Sequence, residues 1–156
     1  MSWRGARVRR ELEAFLSLRV QRAIKYLQGY IKLNIGANVG SVVPFVASKP
    51  GEWPYKWDGV LYDSIETEME TRLLGWVVSD AVDEHVHPGH HFSAEEEYGH
   101  FWDGWAWDFQ TNRIVKVAEP HWVEARPFMR RGLEECKEAI FTILTASHVS
   151  GVGRAA

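Results

Sequence analysis

Four histidines lie close together in the segment EHVHPGHH, in a pattern that could bind a metal ion. They are His85, His87, His90 and His91, and Glu84 precedes them. Imidazole nitrogens suit zinc or nickel, and alternate residues of an extended segment can converge on one ion. The segment contains neither His-Glu-x-x-His nor a cysteine pair, however, and a loop does not hold its ligands in place. We therefore predict a solvated, pH-sensitive loop, with a small metal-binding enzyme as the alternative.

Hydroxyl and carboxylate groups give no second candidate for catalysis. Ser64 follows Asp63 but lacks the Gly-x-Ser-x-Gly surroundings of an activated serine. Glu66, Glu68 and Glu70 alternate with other residues along one strand, which favours a solvated face or a partner contact over paired acid–base catalysis. The sequence also contains no Gly-x-x-x-x-Gly-Lys phosphate loop. We therefore predict that the protein is not an enzyme and uses no cofactor.

Tryptophans cluster in the segment FWDGWAWDF, as Trp102, Trp105 and Trp107. Exposed aromatic side chains bind sugars or stack on the bases of single strands, whereas buried ones fill cores and subunit interfaces. We favour burial or an interface. A binding module for sugar or single-stranded nucleic acid is kept as a further alternative.

The composition is that of one globular domain. The chain has 156 residues, of which 46% are hydrophobic and 25% charged. Cys136 is the only cysteine, so no internal disulfide can form, and its apolar neighbours indicate a small core residue in a protein made in the cytoplasm. No apolar run approaches the roughly 18 residues that a membrane-spanning helix needs, so we expect no membrane contact.

Charge is distributed unevenly along the chain. Residues 1–35 contain eight Arg or Lys and two Glu, a balance of +6, and since the whole chain carries −3 the remainder carries −9. The basic end includes Arg4, Arg7, Arg9 and Arg10. These residues form either a solvated helix face, which we favour, or a contact with DNA or an acidic partner.

A long amphipathic helix is predicted for residues 7–33. Its apolar positions step by three or four and define one stripe: Leu12, Leu16, Val20, Ala23, Leu27 and Ile31. Glycine, proline and serine then interrupt residues 36–58, which predicts a long loop. Over 65–79, alternating residues predict either one bent strand or a hairpin that turns near Thr71.

The second half of the chain is predicted to contain a His-rich loop at 80–93, a short helix from Ser93 to Gly99, and a Trp-rich β-hairpin within 101–119. A C-terminal helix follows. Residues 1–145 are thus predicted to form a single α+β domain, with both long helices packed on a small antiparallel sheet. Residues 146–156 lack any pattern and are predicted to be a flexible tail.

The C-terminal helix begins in the segment VEARPFMRRGLEE, residues 123–135. Pro127 suits the first helical turn, and we expect Phe128 to be a buried anchor. Arg126, Arg130 and Arg131 place cations at a helix N-terminus, where the helix dipole favours anions. We therefore expect these arginines to have a partner, either Glu134 and Glu135 within the next turn or another surface.

This stretch and two others resemble a known family. ARPFMRRGLEE is similar to the ARPFLRPAL element of the head–tail joining and tail-completion proteins of long-tailed bacteriophages. SKPGEWPYKWDGVLYDSI, residues 48–65, resembles the family's Ser-x-Pro-Gly-Glu-x-Pro, Thr-Gly and Leu-x-x-Ser-Ile, and EEYG, residues 96–99, resembles its Glu-Tyr-Gly-Thr. The matched positions are Ser48, Pro50, Gly51, Glu52, Pro54, Gly59, Leu61, Ser64, Ile65, Glu97, Tyr98, Gly99, Arg126, Pro127 and Phe128. Asp58 and His100 stand where the family has Thr, and the His-rich loop and Trp-rich hairpin lie outside the resemblance.

The resemblance implies a structural protein of the virion that joins the capsid to the tail. Such a protein would form a cyclic ring of roughly six or twelve copies around the DNA channel, in the neck or at the top of the tail. Its partners would be its own copies, an adjacent head-completion or portal-adaptor protein, a tail-tube or tail-terminator protein, and the genomic DNA. It would be in the host cytoplasm during assembly and in the virion afterwards.

The resemblance also indicates which residues meet. Glu97 is the expected partner of Arg126, because the resemblance keeps both. Apart from the resemblance, the helix dipole and the chemistry of tryptophan lead us to expect subunit or partner contacts at Arg126, Arg130, Arg131, Trp102, Trp105 and Trp107.

Overall fold

A computed structural model of the chain describes residues 3–37, 48–54, 59–83, 90–102, 105–108, 113–116 and 121–146. The helices are α1 (Trp3–Ala37), α2 (Val60–Ser64), α3 (Phe92–Tyr98) and α4 (Met129–Thr145). The strands are β1 (Ile65–Thr71), β2 (Leu74–Ser79), β3 (Val82–Asp83), β4 (His90–His91), β5 (His100–Trp102), β6 (Trp105–Asp108), β7 (Arg113–Lys116) and β8 (His121–Val123). The predicted α+β class is confirmed.

Helix α1 is longer than the pattern predicted, by four residues at each end. Its stripe is buried only where other elements cover it: Ala23 and Ile31 are buried, and Leu27 packs against the core. Leu12 was expected in the same buried stripe, but it is 54% exposed. The reason is that the start of α1 extends past the elements that pack against its later turns.

Strands β1 and β2 form an antiparallel hairpin, which resolves the alternative left open by the sequence. Ile65 pairs with Ser79 and Thr71 pairs with Leu74, so the chain turns at Arg72 and Leu73. One face of the hairpin rests on α1, where Gln28 Nε2 donates a hydrogen bond to the Ile65 carbonyl oxygen at 2.8 Å. Glu66, Glu68 and Glu70 are exposed on the other face, as the alternation predicted.

The remaining strands form three short antiparallel pairs. β3 pairs with β4, β5 with β8, and β6 with β7. The β6–β7 pair confirms the backbone of the predicted Trp-rich hairpin, with Trp105 opposite Lys116. The β3–β4 pair lies within the predicted His-rich loop at 80–93 and joins Val82 to His91 and Asp83 to His90.

Helices α1 and α4 pack against each other and run antiparallel. Arg19 Nη1 donates to the Leu144 carbonyl oxygen at 2.7 Å, and further along α1 Ile31 lies against Gly132. The core lies at this latter end and consists of Ile31, Ile35, Trp53, Leu61, Ile65, Ala81 and Phe128. These residues come from α1, α2, β1, the link between β2 and β3, and the segments before α2 and α4, so one small cluster connects elements from most of the fold. Cys136 is buried, as expected.

Helix α4 starts later than predicted. Phe128 occupies the N-cap position and is fully buried, which confirms it as an anchor. Pro127 therefore precedes the helix instead of lying in its first turn. Residues 38–47, which include the predicted VVPFV segment, and the predicted tail beyond Ala146 lie outside the described residues.

Two glycines provide a test of the packing of α1 on α4. A β-carbon at Gly132 would lie 2.5 Å from Ile31 Cγ1, and Ile31 is fully buried and cannot move aside. We expect Gly132→Ala to lower the free energy of unfolding by about 1–3 kcal/mol, measured by urea denaturation. Gly29→Ala is the matched control, because that helical position has no neighbour within 4 Å and alanine should stabilise it by about 0.5–1 kcal/mol. Equal effects at both glycines would contradict this packing.

Candidate functional site

Segments that the sequence singled out converge on the start of α4. We call this region the α4 joint and define it as residues 48–54, 97–99 and 125–131. These segments lie far apart in the sequence. Hydrogen bonds nevertheless connect residues 48–54 to residues 125–131, and Glu97 to Met129. The joint therefore brings together parts of all three stretches that carry the family resemblance.

Glu97 caps α4 from a distance. Its Oε2 accepts a hydrogen bond from the Met129 N–H at 2.9 Å, and its Oε1 accepts one from the Arg130 N–H at 3.1 Å. The first N–H groups of a helix have no partner within the helix, and the helix dipole favours a negative charge beside them. A buried carboxylate satisfies both needs, and it offsets the cations that follow.

Arg126 connects the first segment to the joint. Its Nε donates to the Ser48 carbonyl oxygen at 2.7 Å, and both residues are buried. Beside it, the Gly51 N–H donates to the Ala125 carbonyl oxygen at 3.4 Å. The expectation that Arg126 binds a carboxylate or a carbonyl is thus met by the carbonyl of Ser48. Glu97, the carboxylate expected to pair with it, instead accepts backbone N–H groups of α4.

Arg131 links residues 48–54 to α1. Its Nη1 donates to the Gly51 carbonyl oxygen and its Nε to Glu135 Oε1, both at 2.7 Å. The guanidinium also lies over the Trp53 ring, 5.1 Å from its centre. Glu135 in turn accepts a hydrogen bond from the Tyr30 hydroxyl at 2.8 Å. The expected offset of the arginine cations by Glu135 is confirmed for Arg131.

The hydrogen bonds of Glu135 shift the pKa of that carboxyl and the pKa of Tyr30. The hydrogen bond from Arg131 is the main cause that holds the pKa of the Glu135 carboxyl below its ordinary value. Burial opposes this shift, and the hydrogen bond from the Tyr30 hydroxyl adds a smaller lowering of the pKa. The same hydrogen bond to Glu135 raises the pKa of Tyr30. Burial raises the pKa of the Cys136 thiol, which keeps it protonated and unreactive.

Other motif residues shape the backbone. Gly51, Gly59 and Gly99 have φ angles of 77°, 93° and 76°, in the left-handed region that favours glycine. Pro54 is buried, whereas Pro50 is exposed. Of the three glycines, Gly51 and Gly99 lie within the joint, and Gly59 immediately precedes α2.

Two further motif residues have different environments. The Ser64 hydroxyl donates to the Leu61 carbonyl oxygen, and it lies 2.7 Å from the Ser79 hydroxyl, so it connects α2 to the end of β2. Tyr98 is 72% exposed although its neighbour Glu97 is buried. Tyr98 is thus available at the surface of the joint.

The arginines and tryptophans expected at partner contacts are divided between roles. Arg126 and Arg131 contact their own chain, while the Arg130 side chain is exposed, so a partner contact stays a prediction for Arg130. Trp102 lies in β5, and Trp105 and Trp107 lie in β6. Their place at an interface also stays a prediction.

The histidines expected to form a solvated loop fall partly outside the described residues. His85 and His87 are among the residues not described, and His90 and His91 form β4. Within the described ranges, no group of three His, Cys, Asp or Glu side chains is placed to hold a metal ion. Nor does any helix there have the length and apolarity to cross a membrane.

The basic residues at the start of α1 form local ion pairs. Arg7 Nε contacts Glu11 Oε1 and Arg9 Nε contacts Glu13 Oε1, each at 2.8 Å and one turn apart. Arg10 Nε lies 3.4 Å from the Ala6 carbonyl oxygen. These pairs are solvent-exposed and therefore weak, as the favoured prediction of a solvated helix face requires.

Large apolar side chains remain exposed on both long helices, which the sequence analysis did not identify. On α1 they include Val8, Leu18 and Leu33, and on α4 they are Leu133, Phe141 and Leu144. The sequence pattern that could have identified them is the set of apolar residues in these helices that lie outside the main apolar stripe. Exposed apolar side chains of this kind suit contact with another protein surface.

Comparison of the chain with protein-family models, with curated proteins and with solved structures finds no match.

Glu97 provides a direct test of the joint. Glu97→Ala removes the acceptor of two N–H groups at a buried helix start, and we expect it to lower the free energy of unfolding by about 2–3 kcal/mol. Glu97→Gln keeps one acceptor oxygen and should cost about 1 kcal/mol. Exposed Glu138→Ala on the same helix is the control and should stay within about 0.5 kcal/mol. Urea denaturation measures all three, and a Glu97→Ala protein as stable as the control would contradict the capping role.

Glu135 gives the stability a predictable dependence on pH. Its folded pKa lies below the unfolded one, so its contribution is present above the unfolded pKa and is lost as pH falls through the folded pKa. The raised pKa of Tyr30 has the opposite sign, so that contribution is lost as pH rises through the folded pKa of the phenol. The difference in free energy of unfolding between wild type and Glu135→Gln should therefore be largest near neutral pH. It should be at most about 1 kcal/mol, because the Arg131–Glu135 pair is partly exposed. Glu134→Gln changes the neighbouring exposed carboxyl and is the control variant, measured over the same pH range.

Proposed function

We propose that this chain is a structural protein that assembles with its own copies into a closed ring, in the neck or at the top of the tail of a tailed bacteriophage. The observation that carries the proposal is the exposed apolar surface of its two long helices. Phe141 is 63% exposed and Leu33 is 68% exposed, although each lies on a helix whose other face is already packed in the core. Such side chains suit contact with another protein surface, and in this proposal further copies of the chain supply that surface.

The α4 joint supports the second half of the proposal. The three stretches that resemble head–tail joining proteins are distant in sequence, yet they meet through hydrogen bonds around Glu97, Arg126 and Arg131. Residues that a family keeps for a shared fold are expected to cooperate in this way. The joint holds α4 firmly against α1, and so presents both helices to a neighbour as a rigid unit.

Assembly of the purified full chain tests the first half. We expect a concentration-dependent oligomer by light scattering coupled to size-exclusion chromatography, and rings by negative-stain electron microscopy. Phe141→Asp should shift the protein toward monomer, because a charge would be buried at the interface. Thr142→Asp adds the same charge at the next, already polar and exposed position and should still assemble. A wild-type chain that stays monomeric at all concentrations would refute the ring.

Location in the particle tests the second half. Tailed particles from a lysate that contains this protein should bind a gold-labelled antibody against it at the junction between capsid and tail. Labelling at the distal end of the tail, or no labelling of particles, would place the protein elsewhere.

A further inference from the structure

The first turns of α1 project beyond the rest of the fold. Helix α4 ends at Thr145, close to Arg19 of α1, and the tip of the β1–β2 hairpin reaches Glu13, where Arg72 Nη1 lies 4.0 Å from Glu13 Oε2. Beyond that point no described element covers α1, and residues 5–12 are exposed on every side. We call residues 3–12 the arm. At 1.5 Å per residue it is about 15 Å long.

The arm is both basic and apolar. Its sequence contains Arg4, Arg7, Arg9 and Arg10 against the single Glu11, a balance of +3. Between these charges Val8 is 63% exposed and Leu12 lies one turn further on. The ion pairs of Arg7 and Arg9 with their own helix are exposed, so they can be exchanged for better-placed carboxylates at small cost.

The outer face of the β1–β2 hairpin has the complementary character. Glu66, Glu68 and Glu70 are exposed along β1, a balance of −3, while Trp76 and Leu74 are exposed on β2 beside them. Trp76 stands opposite Glu68 in the ladder, and its Nε1 donates to Glu70 Oε2 at 2.9 Å. A row of carboxylates therefore borders an exposed aromatic ring. A surface of this kind can bind arginine side chains that alternate with apolar ones.

The arm cannot reach this face within its own chain. The opposite face of the same hairpin packs on the middle of α1, where a β-carbon at Gly75 would lie 2.9 Å from Ile24 Cδ1. Helix α1 is continuous from Trp3 to Ala37, so its start leads away from the hairpin. Contact between the two surfaces requires a second copy.

We propose that the arm of one copy docks on the outer face of the β1–β2 hairpin of the next copy. The inference rests on the self-assembly proposed above and adds the two surfaces that meet. Because the arm and the hairpin face are different surfaces, the contact is head to tail and leaves one arm and one face free at the ends of any open chain of copies. A ring closes when the last arm reaches the first face.

Charge reversal on each surface tests the contact. Arg7→Glu with Arg10→Glu reverses the arm, and Glu66→Lys with Glu68→Lys reverses the face while leaving the Trp76–Glu70 hydrogen bond in place. Each pair should raise the dissociation constant between copies by on the order of 100-fold, because like charges then face each other. The chain that carries all four changes should assemble again, and an equal mixture of the two reversed proteins should do so as well. Size-exclusion chromatography with light scattering measures assembly, and circular dichroism checks that each variant is folded.

The control reverses the same number of positive charges elsewhere on α1. Arg22 and Lys25 are exposed and lie outside the arm. The protein with Arg22→Glu and Lys25→Glu should therefore assemble as wild type does. Raising salt from about 0.1 M to about 1 M shortens the screening length from about 10 Å to about 3 Å and should weaken wild-type assembly.

The outcomes separate this inference from the proposed function. Wild-type rings that persist in the folded arm and face variants would overturn the arm–face contact and leave the ring standing. Loss of assembly without recovery in the four-change protein would also overturn it. If the arm variant loses duplex DNA binding but assembles normally, the arm contacts DNA and the inference is wrong. Wild-type protein that never assembles would refute the ring and this contact together.

Discussion

The fold depends on one interaction: the Glu97 carboxylate accepts hydrogen bonds from the first two free N–H groups of α4. The start of α4 carries Arg126, Arg130 and Arg131, so the local charge opposes the helix dipole. An anion from elsewhere in the chain stabilises a helix that begins at such a place. Glu97 supplies that anion from α3, and Gly99 turns the chain immediately afterwards with a φ of 76°.

The position of α4 then determines the core. With the helix started at Met129, Phe128 enters the cluster formed by Ile31, Ile35 and Ile65, while Gly132 allows Ile31 to approach the α4 backbone. Because this cluster lies at the end of α1 nearest α2, tight packing is concentrated there. No element among the described residues covers the opposite end of α1, where Val8 and Leu12 are exposed.

Patterns that depend on neighbouring residues could be predicted from the sequence, and contacts that depend on distant ones could not. Helical spacing predicted α1 and α4, alternation predicted the outward glutamates of β1, and the position of Phe128 after Pro127 predicted its burial. Periodicity identifies which residues share a face but carries no information on whether anything covers that face, so Leu12 was wrongly expected in the buried stripe. Likewise, the resemblance indicated that Glu97 and Arg126 belong together. It could not show that one binds the α4 backbone and the other the Ser48 carbonyl.

The same packing that builds the core would set the geometry of assembly. In a head-to-tail contact, the angle between one copy and the next follows from the angle between the arm and the hairpin face within a copy. That angle is fixed by the rigid length of α1 and by the close approach of Gly75 to Ile24, beside the Gln28 hydrogen bond to the Ile65 carbonyl. A larger residue at position 75 would push the hairpin away from α1 and change the angle at every contact of a ring. The changes in angle would add up around the ring, so the last copy would not meet the first, even though each single contact kept its charges and its apolar residues.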